Sequence, residues 1–359
     1  MLETITEPLL NWYEKDHRIL PWRQKRDPYE IWVSEIMLQQ TRVETVKPYY
    51  ERFMKALPNV EALAFCPEEQ LLKLWEGLGY YNRVRNMQKA AVLVTEEYQG
   101  ILPADYDLLK SLPGIGSYTA GAVASIAYGI PVPAVDGNVF RVLARLQEDE
   151  EDITKQSHRT KVEQELAQII PRETPGTFNQ ALMELGAVIC VPNGEPKCTV
   201  CPLYKQCLAG QKGTWSEYPV KKKAKPRRIE QKTVFLLLDA THAVIRKRPK
   251  KGLLSGLYEF PNVPGTLDEK EALAVVTDLG FSPIRIKKLP DAKHIFSHVE
   301  WHMTGYAVKI EEPEPFSIPG LIFAEIAQTG EKYPIPAAFA VYAGYLNLKL
   351  GQEKYQEEM

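Results

Sequence analysis

LPGIGSYTAGAVASIAYGIPVPAVDGN, residues 112–138, places two glycines at a tight turn and an aspartate twenty residues past the second. In Leu112-Pro113-Gly114-Ile115-Gly116 the backbone must bend sharply and approach something closely, and a run of small residues that reads as a helix follows at once. The first N–H groups of such a helix have no partner inside it and carry the positive end of its dipole. An anion such as a phosphate is their natural occupant. Val135-Asp136-Gly137-Asn138 then precedes the apolar run Val139, Phe140, Val142 and Leu143. Taken singly, a glycine turn is only a turn and Asp136 is an N-cap accepting a backbone hydrogen bond. The pairing at a fixed distance sets the question for the rest of the chain.

At 359 residues the chain is long enough for two domains, each with its own core. No stretch reaches the roughly 18 apolar residues of a membrane span. The start, MLETITEPLLNWYEKDHRIL, mixes acids and bases among apolar residues and lacks the layout of a signal peptide, so a cytoplasmic protein is expected. A net charge of -2 offers no global attraction to nucleic acid, and contact with DNA must come from local patches and positioned amides. The one dense basic run, Lys221, Lys222, Lys223, Lys225, Arg227 and Arg228, reads as a solvated linker that marks a boundary.

Before that run, apolar residues recur at helical spacing: Ile31, Trp32, Val33, Ile36, Met37 and Leu38; Leu71, Leu72, Leu74 and Trp75; Leu166, Ile169 and Ile170. Residues 1–215 are therefore expected to form an all-α domain, with a basic linker over 216–231. Beyond it, Thr233–Leu238, Ala243–Ile245 and the alternation of Val299, Trp301 and Met303 with Glu300, His302 and Thr304 predict strands. Helical patterns near Leu267–Leu279 and Ala337–Leu348 complete a smaller α+β domain over 232–350, and an acidic tail follows at 351–359.

Four of the five cysteines, Cys190, Cys198, Cys201 and Cys207, follow the spacing C-x7-C-x2-C-x5-C. In an intracellular chain a disulfide is disfavoured, and four thiolates in one short loop repel one another unless a metal neutralises them. Zinc and iron–sulfur both satisfy that spacing.

Glu35 lies in Ile31-Trp32-Val33-Ser34-Glu35-Ile36-Met37-Leu38-Gln39-Gln40-Thr41. Its helical neighbours Ile31, Trp32 and Leu38 put the carboxyl on an apolar face. Burial there disfavours the charged form and makes Glu35 a proton donor near neutral pH. The bland alternative is a glutamate hydrogen-bonded to a neighbouring helix.

The glycine hairpin with its downstream aspartate resembles the helix-hairpin-helix DNA glycosylases. Within that superfamily VSEIMLQQTRV, WEGLGYYNRVRN, LPGIGSYTAGAV, VDGNVFRVLAR and the cysteines, in this order, resemble the MutY family of adenine DNA glycosylases. The resemblance spans the whole helical domain. It implies a [4Fe-4S] cluster on the four cysteines, although the family has one residue fewer between the first two, and here the extra one sits in the Pro- and Gly-bearing loop 191–197. It implies that Glu35 protonates adenine, that Asp136 stabilises or transiently bonds the anomeric carbon, and that Tyr118 and Asn138 hold the carboxylate and sugar. Trp22, Arg23 and Gln180 would line the adenine pocket. Gln40, Thr41, Leu78, Tyr80, Gly114 and Gly116 would face DNA, with Gln40 and Tyr80 wedged into the gap left by the flipped base. A lysine stands at position 118 in bifunctional relatives resembling endonuclease III, so Tyr118 implies a monofunctional enzyme.

In the second domain Val244–Arg248 and Gly256–Pro261 resemble a Nudix fold. The metal-binding acids of that family, registered on Gly280, fall on Leu273, Ala274, Thr277 and Asp278, and a single aspartate cannot assemble a magnesium site. A recognition module is expected instead, with Phe296, Ser297 and His298 matching the loop that reads 8-oxoguanine opposite adenine. The expected partner is double-stranded DNA with 8-oxoguanine:adenine or guanine:adenine mispairs, bound by a monomer. The competing readings are a thymine or oxidised-pyrimidine glycosylase on the same scaffold, and a catalytically silent damage binder.

Overall fold

The computed structural model describes residues 2–222, 226–311 and 318–350. The acidic tail 351–359, and Lys223 and Lys225 of the basic run, lie outside the described residues. The chain divides into two compact units, residues 1–65 with 85–223 and residues 66–84 with 224–359.

The N-terminal two thirds is helical, in the order α1 (Thr6–Asp16), α2 (Pro28–Leu38), α3 (Val43–Ala56), α4 (Val60–Ala64), α5 (Glu68–Leu74), α6 (Asn82–Tyr98) and α7 (Tyr106–Ser111). The series continues with α8 (Ser117–Tyr128), α9 (Gly137–Gln147), α10 (Gln156–Ile169), α11 (Pro175–Val188) and α12 (Leu208–Lys212). Local chemistry sets several boundaries. The Asp27 side chain accepts from the Glu30 amide at 2.9 Å and Pro28 takes the first helical position of α2, where a missing N–H costs nothing. Gly129 ends α8 in the left-handed conformation, with φ 68°.

Around the first unit's core, α8, α9 and α11 are buried on nearly every side, so small residues decide how closely they approach. A Cβ on Gly121 would lie 2.2 Å from the Pro133 carbonyl oxygen, and one on Gly186 would lie 2.6 Å from the Asn138 Cβ. The second contact sets α11 directly against the first turn of α9.

In the second unit β1 (Arg228–Leu238), β2 (His242–Lys247), β3 (Tyr258–Glu259), β4 (Asn262–Pro264), β5 (Pro283–Ile295), β6 (Val299–Ile310) and β7 (Ile322–Glu325) form one sheet. Its main order is β3-β2-β1-β6-β5, with β1 and β6 parallel and β5 and β6 antiparallel. Side chains alternate across it. Val234 and Leu236 face a cluster with Trp301, Phe339 and Tyr342, while Phe235 and Leu237 face one with Ala272 and Val276 of α13 (Glu269–Asp278).

Three features differ from the sequence reading. Residues 66–84, assigned there to the helical domain, belong to the second unit: Glu69 accepts from Lys247 Nζ and Tyr258 Oη at 2.6 Å each, and Glu76 accepts from the Ile335 amide at 3.0 Å. An apolar stripe such as Leu71, Leu72 and Trp75 declares that a helix is buried, and leaves open against what. The helix expected over Ala337–Leu348 is broken into a 3-10 turn (Ala337–Phe339), the short α15 (Ala340–Ala343) and a second 3-10 turn (Gly344–Leu346), after α14 (Ile326–Lys332). The linker is also shorter than expected, because β1 already begins at Arg228.

Gly305 in β6 lies under the Tyr342 ring, where a Cβ would fall 2.2 Å from Cε1. Gly305→Ala is expected to lower stability by about 1–3 kcal/mol, the usual cost of overfilling a packed core. Thermal unfolding of the variant checks it, and an unchanged midpoint would mean that the ring moves aside freely.

Candidate active site and cysteine cavity

A cleft of about 840 Å³ opens in the first unit, and Glu35, Asp136, Tyr118 and Asn138 all line it, as do Trp22, Arg23, Gln180, Gln40 and Thr41. A space of that size accommodates a nucleoside. Glu35 comes from the middle of α2, where its neighbours from Ile31 to Met37 are buried, and it is itself 7% exposed. Burial pushes its carboxyl up to about 7, against the opposing pull of a hydrogen bond from Tyr118 and the charge of Arg23. Asp136 adds to the rise from across the cleft. The Tyr118 hydroxyl, from the first turn of α8, donates directly to Glu35 Oε2, and burial holds its own ionisation far out of reach.

Asp136 is both an N-cap and a wall of the cleft. Its Oδ1 accepts from the amides of Asn138 and Val139 at 2.8 Å each, and its Oδ2 accepts from Asn138 Nδ2 at 2.7 Å. Burial raises its pKa, while those three hydrogen bonds and the Arg141 charge act in the opposite direction and favour the carboxylate. The two acids therefore stand in unlike surroundings. One is dry with a single hydroxyl, and the other is saturated with donors at a helix N-terminus.

Sequence reasoning missed the residues that fix this arrangement. Arg141, 7% exposed, gives NH2 to Asn138 Oδ1 at 2.8 Å and to the Gly186 carbonyl at 2.7 Å, and Nε to the Cys190 carbonyl at 2.8 Å. Glu184, fully buried on α11, holds Arg18 and Arg23 on the cleft wall. A lone acid in the apolar run Ala181-Leu182-Met183-Glu184-Leu185 is the same signal that singled out Glu35, and could have been read the same way.

Cys190, Cys198, Cys201 and Cys207 converge on one cavity with Arg145, Tyr204 and Trp215. The additional residue of the 191–197 loop leaves Cys190 in place: Gly194 turns there with φ 79°, and the Lys197 amide returns to the Ile189 carbonyl at 3.0 Å. Arg145 NH1 lies 3.3 Å from Cys190 Sγ. Burial pushes the thiols of Cys198 and Cys207 up and that of Cys201 to about 12. Four converging sulfurs fit a site completed by a metal group, which supplies the positive charge that four thiolates need.

At the glycine hairpin Gly114 has φ 78° and leaves no room for a Cβ, which would lie 2.7 Å from Asn86 Cβ. Gly116 caps the twelve-residue α8, with open space around its Cα. Gln40 and Tyr80 both adopt left-handed backbone, with φ 61° and 46°, a strained state for residues with side chains. Tyr80 is half exposed, and its hydroxyl lies 2.6 Å from Ser297 Oγ within the second unit. Residues 75–81 are irregular, between the end of α5 at Leu74 and the start of α6 at Asn82. Leu78, expected to face DNA, instead has a core side chain at 5% exposure. Phe296, Ser297 and His298 form the tip joining β5 to β6; Phe296 packs on Trp301, and Ser297 and His298 are exposed.

Residues 33–172 match the family described as HhH-GPD superfamily base excision DNA repair protein, and residues 233–343 match a NUDIX domain. The chain is 37% identical to the adenine DNA glycosylase of Buchnera aphidicola subsp. Schizaphis graminum, over 84% of this chain and 86% of that one. The chain belongs to the adenine DNA glycosylases. The human adenine DNA glycosylase is 34% identical to it, over 86% of this chain and 67% of its own length. Among solved structures, a thermostable thymine-DNA glycosylase superposes with a TM-score of 0.52 at 30% identity, covering 58% of this chain and 95% of its own. A non-covalent endonuclease III–DNA complex does so with a TM-score of 0.51 at 28% identity, over 59% and 96%. As in those relatives, the helical part of this adenine DNA glycosylase is a base excision repair scaffold, and no helix among its described residues is long and apolar enough to cross a membrane.

Because Tyr118 donates to Glu35, Tyr118→Phe removes a bond that favours the carboxylate. The basic limb of the excision rate is expected to move to higher pH, and single-turnover rates across the neutral range would reveal a limb that stays in place or moves down.

Proposed function

We propose that the enzyme removes adenine opposite 8-oxoguanine, or guanine, by protonating the base at Glu35 and supporting the sugar cation at Asp136. The observation that carries this is the single cleft holding a dry acid near pH 7 and a donor-saturated carboxylate. Cleaving a purine N-glycosidic bond develops positive charge on the sugar and negative charge on the leaving base. Glu35, neutral over much of its working range, gives its proton to adenine N7 and holds that charge down. Asp136, whose three hydrogen bonds favour the carboxylate against the opposing effect of burial, faces the oxocarbenium-like carbon and stabilises it or bonds to it until water arrives. Asn138 keeps Asp136 aimed because both ends of its amide are occupied, by Asp136 and by Arg141.

The base reaches this cleft only when flipped from the stack, at a cost of a few kcal/mol. Gln40 and Tyr80, held in strained backbone, fill the gap, and the amides at Gly114 and Gly116 hold the phosphate chain. Ser297 at the β5–β6 tip reads the oxidised base. With tyrosine at 118 no amine is available there for a Schiff base, so the enzyme is monofunctional. The four cysteines would hold a [4Fe-4S] cluster that clamps the chain after α11 and gives α9 a fixed end.

Adenine release from an 8-oxoguanine:adenine duplex is the direct test. Wild-type enzyme is expected to lose activity as pH rises through about 7, because the acid must be protonated to act. Glu35→Gln and Asp136→Asn should each lower the single-turnover rate by roughly a hundredfold or more. Release of thymine instead, or tight duplex binding without any base release, would refute the reading. Tyr118→Lys is expected to gain strand cleavage. Purified enzyme should be brown with about four irons per chain, whereas a colourless protein containing zinc would overturn the cluster.

A further inference from the structure

Among the described residues, Glu184 is the one fully buried carboxylate lining the cleft that neither protonates the base nor faces the sugar. Its Oε1 accepts from Arg18 Nε at 2.6 Å and from the Arg18 amide at 3.3 Å. Its Oε2 accepts from Arg18 NH2 at 3.0 Å and from Arg23 NH1 at 2.8 Å. Three of these four contacts come from two guanidiniums and the fourth from the Arg18 backbone. Both guanidiniums are fixed to a rigid helix, whereas the segment that carries them, from His17 to Arg23, contributes only a 3-10 turn, Pro21–Arg23.

Burying that many charges is costly, and replacing such a cluster with apolar side chains is often neutral or stabilising. A purely structural task would not need it. The location offers a reason, because Arg23 is the cation whose field reaches Glu35 and opposes its protonation. The titratable and charged groups facing Glu35 are Tyr118 from α8, Arg23 from the 21–23 turn and Asp136 from the cap of α9. Farther along the cleft stand Arg18 and Glu184, then Arg141, Arg159 and Lys221. Glu184 is the carboxylate among them that contacts Arg23.

We infer that Glu184 is a positioning residue for the glycosylase reaction, pinning Arg23 to the base-binding wall and cancelling its charge so that Glu35 keeps its proton and the protonated base is tolerated. Two effects follow from one contact. Held by Glu184, the Arg23 guanidinium is a fixed hydrogen-bonding wall for adenine. Neutralised by it, the same group does not repel the positive charge that protonation places on the base. Two guanidiniums on one carboxylate leave a net charge of +1, and removing the carboxylate raises that to +2 beside the acid. Glu184 itself remains ionised in this role: burial would raise its pKa, but the hydrogen bond from Arg18 and the charge of Arg23 hold it below the usual range.

This inference rests on Glu35 as the proton donor, and the experiment separates the two. Single-turnover adenine excision by the full-length enzyme is followed from roughly pH 5 to 9 for wild type, Glu35→Gln, Glu184→Gln, Arg18→Gln and the Glu184→Gln/Arg18→Gln double variant. Glu184→Gln is expected to move the basic limb down by about half to one pH unit, a loss of about three- to tenfold above the limb. Arg18→Gln leaves Glu184 wholly to Arg23, so the limb should move up. The double variant, back at a net charge of +1, should return toward wild type. A Glu184→Gln rate that falls by the same factor at every pH overturns the inference, as does one that is unchanged or a limb that moves the same way in both single variants. If Glu184→Gln fails to fold, the direction of the limb in Arg18→Gln decides alone, because that side chain is partly exposed. Full activity in Glu35→Gln would instead overturn the donor assignment, and the role of Glu184 with it.

Discussion

Keeping a carboxylic acid out of water at position 35 is the constraint around which the helical unit is organised. An ionised carboxylate in that place would cost several kcal/mol, and the protein avoids the cost by letting the proton stay on. That choice dictates the surroundings. The apolar residues of α2 exclude water, and Tyr118 supplies a single hydroxyl where a fuller set of donors would make the group an ordinary ionised glutamate. Any cation nearby has to be restrained, as Arg23 is by Glu184. An acid useful at neutral pH is thus the product of a balance among burial, one hydrogen bond and a tethered charge.

Asp136 shows the opposite solution on the facing wall. Ending the extended chain at the first turn of α9 gives the carboxylate two amides and an Asn138 side chain at once, so the residue that starts the helix is also the one proposed to stabilise the sugar. The same helix then runs to the cysteine cavity. Arg141 reaches the Cys190 carbonyl and Arg145 reaches the Cys190 sulfur, both from within a stretch that is buried from Val139 to Leu146. Buried arginines at one-turn spacing satisfy carbonyls that a loop cannot pair by itself, and they make α9 a rigid connection between the cysteine loop and the cleft.

The second unit matches a NUDIX domain, and its sheet carries the β5–β6 loop at one end. The hairpin tip 296–298 sits at the end of the two longest strands, where Phe296 leans on Trp301 and Ser297 is presented to solvent. Tyr80 reaches that same serine from the 66–84 excursion, which is anchored in this unit by Glu69 and Glu76. Tyr80 and Ser297, the two residues proposed to fill the gap in DNA and to read the oxidised base, are thereby held on one body.

The glycine hairpin, the spacing of the cysteines and the isolated acids in apolar helices were legible in the chain because each depends on neighbours within a turn or two. Periodicity likewise marked α2, α5, α10 and β6, since a helix or strand must repeat its buried face at its own period. The β5 edge strand escaped notice, being mostly exposed and rich in lysine. The fragmentation of 337–348 was hidden because short helical turns keep the same apolar spacing as a continuous helix. Composition and local pattern alone determined which chemical groups the protein possesses and which element carries each. Only the tertiary structure decided that Glu35, Asp136, Arg23 and Glu184 share one cleft, and that residues 66–84 leave the helical unit. A proton's affinity and a helix's partner depend on what lies across space, and separation along the chain does not encode that distance.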